Sequence, residues 1–81
     1  MRIEILLFAQ LKEAYGSSGL WVEIPDDAKI SDAVDIVMSE TSLQPFSNLL
    51  LRYAVNEEFQ PADGSLNHND RLALLLPMSG G

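Results

Sequence analysis

Few side chains in this 81-residue chain are suited to catalysis or to holding a metal ion. Cysteine is absent, which excludes a cysteine nucleophile, a thiolate metal ligand and a persulfide on cysteine. His68, the single histidine, lies in the polar segment Asn67–Asp70, where a solvated turn residue is expected. Asp26 and Asp27 are loop neighbours, better suited to placing charge near a helix N-terminus than to acting as an acid–base pair. The chain also lacks a glycine-rich phosphate loop, so it is not expected to activate anything with ATP by itself.

The C-terminus is the most informative segment. A strongly apolar stretch, Arg71–Leu76, runs directly into Pro77-Met78-Ser79-Gly80-Gly81. Glycine has no side chain to pack, so a Gly-Gly end is typical of an inert, frayed terminus. The two glycines also have no Cβ atoms, so the same end could thread a narrow channel in another protein. Taken alone, the tail leaves both interpretations open.

Charge and hydropathy exclude several classes of partner. The formal net charge is −7, which disfavours nucleic acid, because phosphate binding needs clustered Lys and Arg. An acidic surface either steers a basic protein partner or only keeps the domain soluble. No apolar run approaches the roughly 20 residues of a membrane span, and Glu4 interrupts the N-terminal run that resembles a signal peptide. Together with the absence of cysteine, this favours a cytoplasmic protein.

The first half of the chain predicts two strands and a helix. Strands are expected at Arg2–Phe8 and Gly19–Ile24, separated by a helical turn at Gln10–Tyr15 that ends at Gly16. A longer helix is expected over Ser31–Glu40, with Ser31 as its N-cap. Its apolar residues recur at helical spacing and are expected to face the core: Ile30, Ala33, Val34, Val37 and Met38.

The second half predicts further strands joined by turns. Pro45–Leu51 is interpreted as a short helix, and Arg52–Asn56 as a strand that turns into a short strand at Phe59. Asn69 suits a left-handed turn before the last strand, Arg71–Leu76. The first and last strands are apolar on both faces, which predicts that they lie adjacent at the sheet centre with both faces buried. The expected fold class is α+β: a small mixed sheet rolled over one main helix.

Four stretches carry a resemblance to a known family: ILLFAQLKEAYG, YAVNEEF, NDRLALLLP and the final SGG. In their order and spacing the chain resembles the ubiquitin-like sulfur carriers, most closely the MoaD family of molybdopterin synthase small subunits. The resemblance implies a ubiquitin-like β-grasp domain over residues 1–76 and a flexible Gly-Gly tail over residues 77–81. The chain departs from the family pattern at His68-Asn69-Asp70, where Asp-Gly-Asp is common, and at Leu76-Pro77-Met78, where Pro-Pro-Val is common.

The resemblance also implies a function for the tail. Gly81 would be adenylated, converted to a thiocarboxylate and used to donate sulfur to a pterin precursor in molybdenum cofactor biosynthesis. With no cysteine in the chain, the terminal carbonyl is the natural place to hold sulfur. Ser79 and Gly80 would let the tail thread its partner's channel. Leu75, Pro77 and Met78 would bind the partner.

The partners implied by the resemblance supply all of the catalysis. They are a larger catalytic subunit of the synthase, an E1-like adenylyltransferase that uses ATP, and a sulfur donor protein. The chain itself is expected to have no catalytic side chain, no stably bound cofactor and no metal. Two alternatives stay open: a sulfur carrier for thiamin biosynthesis, and a β-grasp binding module with an inert tail.

Overall fold

The computed structural model describes residues 1–77 of the chain. These residues form five strands, two α-helices and one 3₁₀ helix. In order these are β1 (Arg2–Leu7), α1 (Ala9–Tyr15), β2 (Gly19–Glu23), α2 (Ile30–Met38), the 3₁₀ helix (Thr41–Phe46), β3 (Arg52–Val55), β4 (Glu58–Gln60) and β5 (Arg71–Leu75).

The five strands form one mixed sheet in the order β2-β1-β5-β3-β4. β1 and β5 run parallel at its centre, with Ile5 opposite Leu72. The other three pairings are antiparallel. The prediction that the first and last strands are central neighbours is therefore confirmed, and the arrangement is the β-grasp roll that the sequence resemblance implies.

The two faces of the sheet differ in burial. On the inner face Ile3, Ile5 and Leu7 of β1 are fully buried, as are Leu72 and Leu74 of β5. On the outer face Leu6, Ala73 and Leu75 are only half-buried. The prediction that both faces would be buried is wrong, because the described helices pack on one side and the sheet has no second cover. A half-exposed apolar outer face remains.

Helix α2 supplies the apolar cover of the inner face. Its five predicted core residues, Ile30 to Met38 at helical spacing, are all buried. The predicted N-cap is wrong by two positions, since Lys29 and not Ser31 is the N-cap of α2. The Lys29 N–H donates to the Asp32 carboxylate at 2.8 Å, so the acidic residue three positions along stabilises the helix start. The helix ends at Met38, short of the predicted Glu40.

The segment between α2 and β3 also differs from its prediction. A 3₁₀ helix spans Thr41–Phe46, whereas a short helix was expected over Pro45–Leu51. Leu43 is fully buried and ties this segment to the core. Pro45 lies near the end of this 3₁₀ helix, and no further helix follows it before β3.

Two turns use left-handed residues. Asn56 and Glu57 form the tight connection between β3 and β4, with φ of 50° and 74°. Positive φ at both central residues is the geometry that matches the twist of a two-residue hairpin. Asn69 has φ of 70° immediately before β5, as predicted from the sequence. These turns fix the register of β3, β4 and β5 on the half of the sheet that leads to the tail.

Candidate functional site

The predicted carrier residue and most of the predicted tail lie outside the described residues. These are Met78, Ser79, Gly80 and Gly81. Leu75 and Pro77 lie within them, so the structure shows the base of the predicted site. Leu75 ends the central strand β5 opposite Arg52 of β3. Leu76 is half-buried and packs against the core, and Pro77 is exposed.

A mainly apolar pocket lies beside the base of the tail. Its volume is about 480 Å³. It is lined by Phe8, Ala9, Arg52, Phe59, Leu75, Leu76 and Pro77, and is called here the tail-base pocket. The structure thus brings together Leu75 and Pro77, two of the three residues predicted to bind a partner. An apolar pocket that includes the exposed Pro77 suits the anchoring of a partner protein.

Two aromatic residues of this pocket were missed by the sequence analysis. Phe8 and Phe59 have 48% and 62% of their surfaces exposed, high values for such large apolar side chains. The signal was present in the alternation of the strands. Phe8 follows Leu6 on the outer face, and Phe59 is the only apolar residue of the three-residue strand β4. Its partner in register is Ala54, on the same half-covered face.

Phe8 is held in place by the start of α1. Its carbonyl oxygen accepts hydrogen bonds from the Leu11 and Lys12 N–H groups at 3.1 and 3.4 Å. The next residue, Ala9, has φ of 49°, a left-handed conformation that costs a non-glycine residue about 1 kcal/mol. The sharp change of direction from β1 into α1 leaves the Phe8 ring on the outer face.

A second groove continues along the outer face from Phe8. It has a volume of about 440 Å³ and is lined by Leu6, Phe8, Ala54, Asn56, Glu57, Asn69, Arg71 and Ala73. Arg71 at its polar end is paired with Glu4, with its Nε at 3.2 Å from the Glu4 carboxylate. The outer face is therefore apolar next to the tail and polar at the far end of β5.

The one buried charged residue in the described chain has a structural role. Asp70 accepts hydrogen bonds from the Asn56 side-chain amide at 2.9 Å and from the Asn67 N–H at 2.8 Å. The Asn56 side-chain oxygen in turn accepts from the Arg71 N–H at 3.1 Å. This network ties the β3–β4 turn to the start of β5, and every member has a partner.

The remaining residues considered for chemistry are also structural. His68 Nδ1 accepts a hydrogen bond from the Arg2 N–H at 3.0 Å. Asp26 accepts one from the Met1 ammonium group at 2.9 Å, and this bond lowers the pKa of the Asp26 carboxyl group, with added attraction from the positive charge. Asp26 is thus paired with the N-terminus, and the acidic residue in the first turn of α2 is Asp32. Across residues 1–77 no group of three His, Cys, Asp or Glu side chains is placed to hold a metal ion. Nor does this part of the chain contain a helix with the length and apolarity to cross a membrane.

Comparison with known proteins gives a match over nearly the whole chain. A sequence model of the ThiS family matches residues 5–81. Two curated relatives carry the name molybdopterin synthase sulfur carrier subunit. The one from Arabidopsis thaliana is 30% identical, and the alignment covers 100% of this chain and 84% of that relative's length. The one from Dictyostelium discoideum is 31% identical, and the alignment covers 99% of this chain and 96% of that relative's length.

Solved structures share the fold over the same length. SAMP1 from Haloferax volcanii, a small archaeal modifier protein, is 28% identical, with a TM-score of 0.85 and complete coverage of both chains. A Helicobacter pylori structure of a complex between subunits 1 and 2 of molybdopterin-converting factor contains a chain with a TM-score of 0.72, 20% identity and complete coverage of both chains. At that identity the likeness concerns the fold alone.

Proposed function

We propose that this chain, which belongs to the ThiS family, is the sulfur carrier subunit of a molybdopterin synthase, with Gly81 as the carrier residue. The observation that carries the proposal is the alignment of essentially the whole chain with two molybdopterin synthase sulfur carrier subunits. The family match continues to residue 81, so it includes the terminal Gly-Gly.

The proposed chemistry takes place at the terminal carboxylate. A carboxylate is a poor electrophile, because its charge is delocalised and an oxide is a bad leaving group. On the adenylyltransferase the carboxylate of Gly81 attacks the α-phosphate of ATP, and pyrophosphate leaves. The outer sulfur of a persulfide on the donor protein then attacks the acyl carbon as AMP departs, which gives an acyl disulfide. A thiol attacks the donor's sulfur in that disulfide, forms a new disulfide with the donor and releases the thiocarboxylate on Gly81. Covalent activation of this kind divides one difficult step into easier ones.

The proposal assigns the catalytic side chains to the partners. In residues 1–77 the buried carboxylate of Asp70 is fully hydrogen-bonded, and the only histidine accepts a backbone hydrogen bond. Neither is placed beside the base of the tail. The larger subunit would act on the pterin precursor, and the adenylyltransferase would use ATP. This chain would contribute a folded domain that positions the acyl group of Gly81.

Docking through the tail-base pocket would deliver that group. Ordering each residue of a tail costs roughly 1–2 kcal/mol, so a short tail alone binds weakly. Once Phe8, Phe59 and Leu75 are buried by a partner, the tail meets its channel at high effective concentration. The outer sheet face is suited to this because its apolar residues are preformed and half-exposed.

A second candidate function is modification of other proteins, favoured by the likeness to SAMP1 at 28% identity. In that chemistry an amine of a target protein, and not sulfur, would attack the activated Gly81 carbonyl. The two candidates give different products, a thiocarboxylate or an amide conjugate. A role in thiamin biosynthesis would give the same thiocarboxylate and a different final acceptor.

Reconstitution with purified partners tests the proposal. The chain is combined with the larger subunit, adenylyltransferase, ATP, a sulfur donor and the pterin precursor, and molybdopterin is measured. Removal of Gly80 and Gly81 should abolish product formation while the melting temperature of the domain stays unchanged. Normal product formation by the shortened chain would contradict the carrier assignment and favour a binding module.

A further inference from the structure

Arg52 is held on the outer face next to the tail-base pocket by an aromatic ring. Its guanidinium carbon lies 4.5 Å from the centre of the Phe59 ring. The register explains the contact, because Phe59 lies opposite Ala54, two residues beyond Arg52 on the same face of β3. A guanidinium stacked on an aromatic ring keeps its N–H donors, which lie in the plane of the group, available for another partner.

The charge of Arg52 has no partner within the described chain. Among residues 1–77, Arg71 is paired with Glu4, whereas no ion pair includes Arg52. Arg52 borders the tail-base pocket and a neighbouring pocket of about 420 Å³, lined also by Leu51, Tyr53, Phe59, Gln60, Pro61 and Ala62. Neither lining contains an acidic residue. In a chain with 12 acidic and 5 basic residues, this is a local positive site surrounded by apolar surface.

We propose that Arg52 binds a carboxylate side chain of the larger subunit, while an apolar side chain beside that carboxylate fills the tail-base pocket. This inference rests on the proposed function, since it names the chemistry of the partner at the same docking site. Arginine matches a carboxylate with two parallel N–H···O bonds, which fixes orientation as well as adding affinity. A nucleic acid would offer phosphates to the same donors, but the net charge of −7 repels a polyanion.

The consequence is a fixed orientation of the tail. Arg52 lies opposite Leu75, so a bond from its guanidinium to the partner lies beside the residue where β5 ends. Apolar contacts at Phe8 and Phe59 bury surface without defining direction, whereas a bidentate ion pair restricts rotation. Arginine is one of the residue types that most often dominate the binding energy of an interface.

The test compares two arginines in similar settings. Arg2 of β1 lies over Trp21 of the edge strand β2, with its guanidinium carbon 4.2 Å from the ring centre. Arg2 is on the same face as Arg52 and on the other side of β5. Arg2→Gln removes an identical charge away from the tail and is the matched control. The dissociation constant of each variant for the purified larger subunit is measured by titration calorimetry at several salt concentrations.

The expected results differ between the two sites. Arg52→Gln should weaken binding by roughly 10- to 100-fold, the range for losing a charge-assisted hydrogen bond, and should reduce the salt dependence. Arg52→Lys should restore only part of the loss, because lysine lacks the planar fork. Arg2→Gln should bind within about twofold of the unaltered chain.

Each other outcome overturns the inference. Unchanged binding by Arg52→Gln would show that no carboxylate meets Arg52. An equal loss with Arg2→Gln would show a general effect of charge. Failure of the unaltered chain to bind the larger subunit would refute the proposed function itself, a result distinct from the loss of Arg52 alone. Arg52 is exposed, so circular dichroism should show all three variants folded.

Discussion

Glu57 occupies a backbone conformation that suits glycine better. Its φ of 74° places it in the left-handed region, in the tight turn between β3 and β4. Its neighbour Asn56, at φ of 50°, tolerates this region because its short polar side chain can bond locally, whereas glutamate gains no such relief. The turn therefore stores strain beside the outer-face groove that Glu57 lines.

Glu57→Gly should stabilise the domain. Relief of the left-handed conformation is worth about 1 kcal/mol, less the greater chain entropy of glycine in the unfolded state. The midpoint of thermal unfolding should rise by a few degrees, since about 1 kcal/mol corresponds to roughly 4–8 °C in a domain of this size. Gly16→Ala is the converse control. Gly16 has φ of 91° at the end of α1, so that substitution should lower the midpoint. A lower midpoint for Glu57→Gly would mean that the glutamate side chain makes a stabilising contact.

At the scale of elements, α2 and the central strand pair hold the fold together. Ile30, Ala33, Val34 and Val37 of α2 lie in one cluster with the inner faces of β1 and β5. The same helix leaves Ile36 41% exposed on its other side. This contrast between two aliphatic residues of one short helix makes the packing directly testable.

Val34→Asp should unfold the domain, and Ile36→Asp should not. A buried carboxylate without a partner costs several kcal/mol, comparable with the total stability of about 5–15 kcal/mol of a small protein. On the exposed side the same charge remains in water and costs little. Thermal melts followed by circular dichroism measure both. A cooperative melt for Val34→Asp at the unaltered temperature would remove α2 from the core.

The sequence predicted best the helix and strands whose buried side gives a clear spacing of apolar residues. The apolar spacing predicted the core-facing side of α2, and the strongly apolar β1 and β5 were correctly predicted to be neighbours at the sheet centre. Single local contacts were harder to predict. The Lys29 N–H donates to Asp32, which places the N-cap of α2 at Lys29. The buried Leu43 lies in a 3₁₀ helix at Thr41–Phe46, before the predicted segment. Hydropathy alone does not register such single contacts.

At the scale of the whole molecule, the helices within residues 1–77 cover one side of the sheet and leave the other half-exposed. Apolar residues on both faces of β1 and β5 suggested complete burial, but the outer face is half-exposed and carries Phe8, Phe59 and Leu75 beside the tail. A sequence does not distinguish an apolar residue that faces its own core from one that faces a partner. The two aromatic residues of the tail-base pocket, Phe8 and Phe59, were therefore missed. The assignment of Gly81 as carrier came from the resemblance. The boundary at residue 76 between the domain and the tail also stays a prediction.

The most direct test of the carrier assignment is the intact mass of the chain after incubation with the adenylyltransferase, ATP and a sulfur donor. The mass should increase by the difference between one sulfur and one oxygen atom, with the change located at Gly81 by fragmentation. A chain extended by one alanine after Gly81 should fold and bind the larger subunit but show no such change, because its acyl group lies one residue too far along and carries a methyl group. An unmodified mass in the unaltered chain, or equal conversion of the extended chain, would contradict the assignment of Gly81 as the sulfur carrier.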